Sequence, residues 1–127
     1  HLAVGSRYMK GGGISNWSKY RLFLSYGASL YVRFITGMAV KDPTAGFICY
    51  HRSVLEGIDL NKIKFTGYAF QIEMKYAASL KGFKWIEIPI IFSDRIKGSS
   101  KMSANIVSEA IKGVLGLRIK ALKGYYN

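Results

Sequence analysis

Cysteine, histidine and acidic residues are all scarce in this sequence. With Cys49 alone no internal disulfide can form, and the two histidines, His1 and His51, have no spaced partners for a zinc site. A structural or catalytic zinc is therefore not expected. Also missing is the unbroken apolar run of about 18 residues that a membrane-spanning helix needs. The longest apolar stretch, "WSKYRLFLSYGASLYVRFITG", is interrupted by Lys19, Arg21 and Arg33, which favours an interfacial or core-packed helix over a span. No basic leader followed by an apolar stretch and a small-residue cleavage site opens the chain, so a cytoplasmic location is expected. There is no internal repeat and no low-complexity tract.

What the sequence has in excess is positive charge. Nineteen Lys and Arg stand against seven Asp and Glu, a net charge of +12 over 127 residues. The excess is segregated. Residues 1 to 41 carry six bases and no acid, residues 42 to 94 carry six of each, and residues 95 to 127 carry seven bases and one acid. The balanced middle resembles an ordinary globular core, and the two basic flanks are placed to meet one anionic surface. The length suits one domain with a real core. Its opening, "HLAVGSRY", lacks a methionine and already reads as a strand entering a turn, so the chain is expected to be a piece of something longer.

The patterns alternate between strand and helix. After the glycines of "MKGGG", Ser15 or Asn16 is placed to cap a helix running to about Gly37. Pro43 and Gly46 punctuate "KDPTAGF", a short strand is expected over 47 to 50, and a helical turn over 52 to 56. Thr66 then opens a second helix with Phe70, Met74, Ala77 and Leu80 on one face and Gly82 as its stop. "FKWIEIPIIF" alternates as a strand would, and Pro89 assigns it to a sheet edge or a strand end. A last helix over about 104 to 123 gathers Ile106, Val107, Ala110, Ile111, Val114 and Leu115 on an apolar face, with Lys112, Lys120 and Lys123 opposite.

Two stretches have the makeup of a phosphate site. "GSRY" and "SDRIKGSSKMS" combine cations with hydroxyls and glycine amides, which supply charge and directed donors together. Either alone would pass for a solvated loop.

In order, "VGSRY", "GGG" followed by a Trp and an Arg, "DPTAGF", "GYAFQIE" and "IEIPIIFSDRIKGSSK" resemble the C-terminal half of the polyprenyl-phosphate (dolichyl-phosphate) mannose synthases of glycosyltransferase family 2. The resemblance covers residues 4 to about 118, and five separated motifs in the right order make it specific. It implies an α/β fold, here the C-terminal part of a GT-A nucleotide-sugar domain, with an incomplete sheet flanked by amphipathic helices. The whole chain, 1 to 127, is then a single partial domain without the nucleotide-binding half. The implied reaction moves mannose from GDP-mannose to the phosphate of a membrane isoprenoid, with inversion and a divalent metal, Mg or Mn. The family's Asp-x-Asp metal motif has no counterpart here. No metal ligand is therefore expected in these residues, and the chain alone is expected to be inactive.

The resemblance also implies residue roles. Arg7, Arg21 and Ser25 match positions that hold the lipid phosphate; Arg21 and Ser25, four apart, share a helix face. Arg95 and Lys101 match a loop near the donor diphosphate, where they would neutralise charge on the departing nucleotide. Asp42 matches an aspartate near the reacting centre, a candidate base or positioning group. A base is hardly required, because a phosphate monoester with a second pKa of about 6 is already largely a dianion near neutrality. Gln71 and Glu73 are candidate supports of the acceptor or donor site, in a stretch, "QIEMKY", that departs from the Gln-x-x-Arg-Trp of related enzymes. The expected partners are a polyprenyl phosphate, GDP-mannose and an anionic membrane surface, with peripheral binding on the cytoplasmic face and a homo-oligomer through an exposed sheet edge as a further option. UDP-glucose is the rival donor. A noncatalytic basic module for anionic lipid or nucleic acid is the rival of another class, with nucleic acid disfavoured because the aromatics lie in apolar elements and form no basic stacking platform.

Overall fold

The computed structural model describes residues 1–95, 97 and 104–127. Strand β1, Leu2–Ser6, is central in a three-stranded sheet: β3, Ile48–Tyr50, runs antiparallel on one side and β4, Trp85–Pro89, parallel on the other. Val4 stands opposite both Ile48 and Glu87. A separate parallel ribbon joins β2, Gly13–Ser15, to β5, Ile91–Ser93. Among the described residues four α-helices and a short 3-10 turn, Leu60–Lys62, complete this mixed α/β arrangement: α1, Lys19–Thr36; α2, Arg52–Gly57; α3, Gly67–Leu80; and α4, Ala104–Leu122.

Local chemistry accounts for the boundaries. Ser18, and not Ser15 or Asn16, caps α1, its hydroxyl accepting from the Arg21 amide at 3.2 Å; Ser15 is taken by β2 and Asn16 turns the chain at φ 63°. Gly37, at φ 73°, closes the helix in the left-handed region and returns its N–H to the Arg33 carbonyl. The expected single strand over 83 to 92 is broken at Ile90 into β4 and β5, and Pro89 falls at the end of β4.

The core lies between the sheet and α3. Leu2, Val4, Val32, Met38, Val40, Ile72, Met74, Tyr76 and Ala77 are buried there with Val114 and Leu117 of α4. Helix α3 is enclosed on every side from Ile72 to Ala78, so the single apolar face expected for it is too narrow a description; Phe70 and Leu80, at its two ends, are exposed. The face expected for α4 departs further. Of its residues only Val114 is buried, joined by Leu117, while Ile106, Val107, Ile111 and Leu115 are exposed. The packing of α4 is on α1 and α3, which touch only part of its circumference. Close approach is real where it occurs: a Cβ on Gly113 would meet Phe65 at 2.9 Å. Helix α1 likewise leaves Tyr20, Phe23 and Phe34 exposed at 72 %, 74 % and 86 %. On the sheet, Ile86, Ile88 and Phe47 are exposed as well, while Trp85 and the polar Glu87 point to the more covered side.

Candidate functional site

The turn after β1 and the start of α1 bring the predicted residues into one neighbourhood. Arg7, directly after β1, forms a two-toothed ion pair with Asp42: Nε donates to Oδ2 at 2.7 Å and Nη2 to Oδ1 at 2.7 Å. The Arg7 amide donates to Oδ2 at 3.0 Å, and the Thr44 hydroxyl lies 3.3 Å from Oδ1 while receiving Arg7 Nη2 at 2.9 Å. A carboxylate has about four lone-pair sites. Asp42, fully buried, has all of them engaged, which suits fixing the geometry of the turn better than taking up a proton. Burial alone would lower the Arg7 pKa, but the bond to Asp42 and its charge outweigh this and raise it.

The second half of the site is on α1. Arg21 donates from Nη1 to Asp94 Oδ2 at 2.7 Å, and its guanidinium lies 4.1 Å from the centre of the Trp17 ring. Ser25, one turn along, shares a short hydrogen bond with the Tyr8 hydroxyl, whose pKa burial raises although Ser25 and Arg7 oppose it. Arg7 also sits 5.1 Å from the Tyr8 ring, 5.7 Å from Trp17 and 5.9 Å from Phe92. Beside this group, Tyr8, Lys19, Leu22, Phe23 and Tyr26 line an open, almost wholly apolar groove of about 440 Å³. Cations, hydroxyls and an open apolar groove thus adjoin one another along α1 and the turn after β1.

The remaining predicted residues are placed differently. Arg95 follows Asp94 and is exposed, its amide bonded to Asp94 Oδ1 at 3.0 Å. Lys101 lies outside the described residues. Glu73 is fully buried in α3 with both oxygens engaged by the fold: Oε2 accepts the Lys64 and Phe65 amides at 2.9 Å each, and Oε1 accepts the Tyr126 hydroxyl at 2.7 Å. Burial and Glu73 together push the Tyr126 pKa far up. Gln71 is half-buried, and its Oε1 finds no hydrogen-bond partner among the described residues.

Two residues at the site went unread in the sequence. Glu87 of β4 accepts the amides of Lys41 and Asp42 at 2.9 and 3.3 Å, pinning the start of the "DPTAG" turn. Lys75 of α3 donates to the carbonyls of Pro43 and Ala45 at 3.0 and 2.6 Å, pinning its end. A cation inside the run Ile72 to Ala78 was the available signal for the latter. Among the described residues no three His, Cys, Asp or Glu side chains group to hold a metal ion.

No protein-family model matches the chain. Among curated proteins it is 46% identical over 110 residues to the polyprenol monophosphomannose synthase of Mycolicibacterium smegmatis, covering 87% of this chain and 42% of that protein. To the undecaprenyl-phosphate mannosyltransferase of Micrococcus luteus it is 41% identical over 113 residues, 89% of this chain and 46% of the relative. To the dolichol-phosphate mannosyltransferase of Pyrococcus furiosus it is 35% identical over 118 residues, 91% and 32% respectively. The chain spans less than half the length of each of these relatives. Over about nine-tenths of its own residues the chain is homologous to part of each of these three mannosyl-transferring proteins.

Proposed function

We propose that this chain forms the acceptor side of an enzyme that transfers mannose from GDP-mannose to a polyprenyl phosphate at a membrane surface. The observation that carries the reading is that Tyr8, which lines the apolar groove with Lys19, Leu22, Phe23 and Tyr26 of α1, bonds Ser25 on the same helix, with Arg21 directly before Leu22 in the chain. A phosphate with an isoprenoid tail needs a charged, hydroxyl-bearing end and an apolar surface in contact. The phosphate dianion attacks the anomeric carbon of mannose from the face opposite the nucleotide, the C–O bond to the nucleotide breaks with its electron pair, and the configuration inverts. Arg21 and Ser25 hold the attacking phosphate. Arg7 adds positive charge nearby while fixing Asp42, and Arg95, with Lys101, neutralises the departing diphosphate.

On this reading a GT-A nucleotide-binding half and its Mg or Mn lie outside these 127 residues. The described residues do not fit a metal: Asp42 and Asp94 are paired with arginines and Glu73 is closed by amides and Tyr126. The 127 residues alone are expected to be inactive.

No described helix is long and apolar enough to cross a membrane. The exposed aromatics of α1 beside Lys19, and the exposed apolar residues of α4 beside Lys112 and Lys123, support peripheral docking on the anionic cytoplasmic leaflet. There each cation contributes about 1 kcal/mol. The edges left by β3 and β4 among the described strands are where a second copy would pair.

The deciding assay gives the full-length protein a short polyprenyl phosphate, a divalent metal and either GDP-mannose or UDP-glucose. Transfer from GDP-mannose alone is expected; transfer from UDP-glucose alone would replace the donor, and transfer from neither would remove the enzymatic reading. The membrane reading is tested with vesicles containing anionic lipid, which the chain should bind and a Phe23→Glu/Phe34→Glu variant should not. Equal or stronger salt-dependent binding to single-stranded nucleic acid would favour the noncatalytic module.

A further inference from the structure

The "DPTAG" turn contributes Asp42 to the site, yet little in the turn itself explains why it stays where it is. One backbone bond closes it, from the Ala45 amide to the Asp42 carbonyl at 3.2 Å, beside the Thr44 hydroxyl on the Asp42 carboxylate. The carbonyls of Pro43 and Ala45 are left facing inward, where an unmet acceptor is costly. Both are met by Lys75, which reaches from the buried centre of α3 and is only 3 % exposed. Its third proton is directed to the Gln71 carbonyl one turn back, at 3.3 Å. An ammonium has three donors and no acceptor; here every one has a backbone oxygen.

We propose that Lys75 is a positioning residue for Asp42: by gathering the Pro43 and Ala45 carbonyls onto α3 it sets where the Asp42 carboxylate meets Arg7. This deepens the functional reading, since it rests on Asp42 and Arg7 belonging to the reaction site. Three anchors then fix the turn from different elements: Glu87 of β4 at its start, Lys75 of α3 at its end, and Arg7 after β1 on the carboxylate itself. Only the last has been carried by the motif pattern. A buried cation unaccompanied by a carboxylate within bonding distance is uncommon, because its desolvation is offset only when every donor is engaged. The geometry meets that condition, and it leaves Lys75 no surface to serve instead. Asp42 and Arg7 are the charged groups that act on it, Asp42 favouring the ammonium and Arg7 opposing it, with burial the largest influence.

Hydrogen exchange separates positioning from mere stability. The Arg7 amide donates to Asp42 Oδ2 and reports the carboxylate's place, whereas the Gly5 amide, on Phe47, and the Phe65 amide, on Glu73, report the sheet and α3. In Lys75→Met the Arg7 amide should exchange at least about tenfold faster while Gly5 and Phe65 change by less than about threefold. Unchanged protection at Arg7, or an equal rise at all three, overturns the proposal. Should that variant fail to fold, the native chain decides: as Lys75 titrates, followed at its own ε-methylene, the Arg7 amide resonance should move with the same midpoint. An Arg7 resonance blind to that step overturns the proposal too. In the full-length protein Lys75→Met should lower kcat about tenfold with KM for the sugar nucleotide within about threefold; an unchanged kcat counts against it. If the native full-length protein transfers no sugar, the functional reading fails by itself, and the exchange measurement still decides the role of Lys75.

Discussion

Arg7 with Asp42 and Arg21 with Asp94 are ion pairs of the same chemistry and the same 2.7 Å length, yet they are built for different work. In the first the side chains are 11 % and 0 % exposed; in the second they are 28 % and 36 % exposed. Asp42 is saturated by Arg7 and Thr44 and is locked in a turn held from β4 and α3. Asp94 stands at the end of β5, where water or another anion can take its place on Arg21. The first pair is framework and the second is exchangeable. On the proposed reading a phosphate arriving at the site would have one guanidinium it could capture by displacing a partly hydrated carboxylate, and one whose capture would strand a buried charge.

The largest effect should follow from breaking the buried pair. Arg7→Leu leaves Asp42 ionised without its partner, and urea denaturation at neutral pH should show a loss of about 3–5 kcal/mol. A loss under about 1 kcal/mol, the range of exposed pairs, would erase the distinction between the two. Glu73→Gln comes next. It weakens the acceptor of two amides and a buried tyrosine hydroxyl, and should cost about 1.5–3 kcal/mol. Tyr126→Phe, which removes a single donor, should cost less.

How far the sequence reaches into this site follows from the kind of contact. Arg21 and Ser25 were legible because helical spacing puts positions four apart on one face, and the motif order placed Arg7 and Asp42 near them. That Arg7 faces Asp42 directly was not, since a pairing across 35 positions depends on how β1 and the turn are packed. Lys75 and Glu87 were hidden for a different reason. A lone lysine in a helix reads as its solvated side, and a lone glutamate in a strand as its outer face; here both are turned inward by backbone groups that no side-chain pattern reports. The alternation of β4 was visible but not which set faces inward, and it is Ile86 and Ile88 that are exposed while Glu87 is half-buried. The apolar stripes of α1 and α4 were legible as stripes, but how much of each is covered was not: Tyr20, Phe23 and Phe34 are largely exposed, and Ile106, Val107, Ile111 and Leu115 are only partly covered among the described residues.

Alkaline titration sharpens the same comparison, because only the framework half contains a buried cation. Burial lowers the Lys75 pKa from 10.5 to about 8. Between those values the unfolded chain holds a proton that the folded chain has lost, so stability should rise with pH from about 8. Tyrosines then reverse the trend. Burial raises Tyr8, Tyr50 and Tyr126 above the ordinary value of 10.0, so the unfolded chain ionises first and stability should fall above about pH 10. Urea midpoints measured across this range should pass through a maximum, and Lys75→Met should keep the fall while losing the rise. A native midpoint that declines steadily from pH 8 would contradict a buried ammonium at this position.

The smallest effect on stability is expected where the effect on binding is greatest. In Arg21→Ala the lost partners are Asp94, which water can solvate, and the Trp17 ring, so unfolding free energy should change by no more than about 1 kcal/mol. Binding to vesicles that carry polyprenyl phosphate should nevertheless weaken about tenfold, the equivalent of one charge-assisted contact of about 1.4 kcal/mol. Asp94→Asn makes the converse test, because it weakens the competitor for Arg21 and leaves the guanidinium and Trp17 intact. It should tighten the same binding, and more so at low salt, where attraction between Arg21 and a phosphate is least screened. If Arg21→Ala and Asp94→Asn both weaken binding, the pair acts as a fixed unit like Arg7 and Asp42. Opposite signs are the signature of an arginine whose carboxylate holds it only until a phosphate comes.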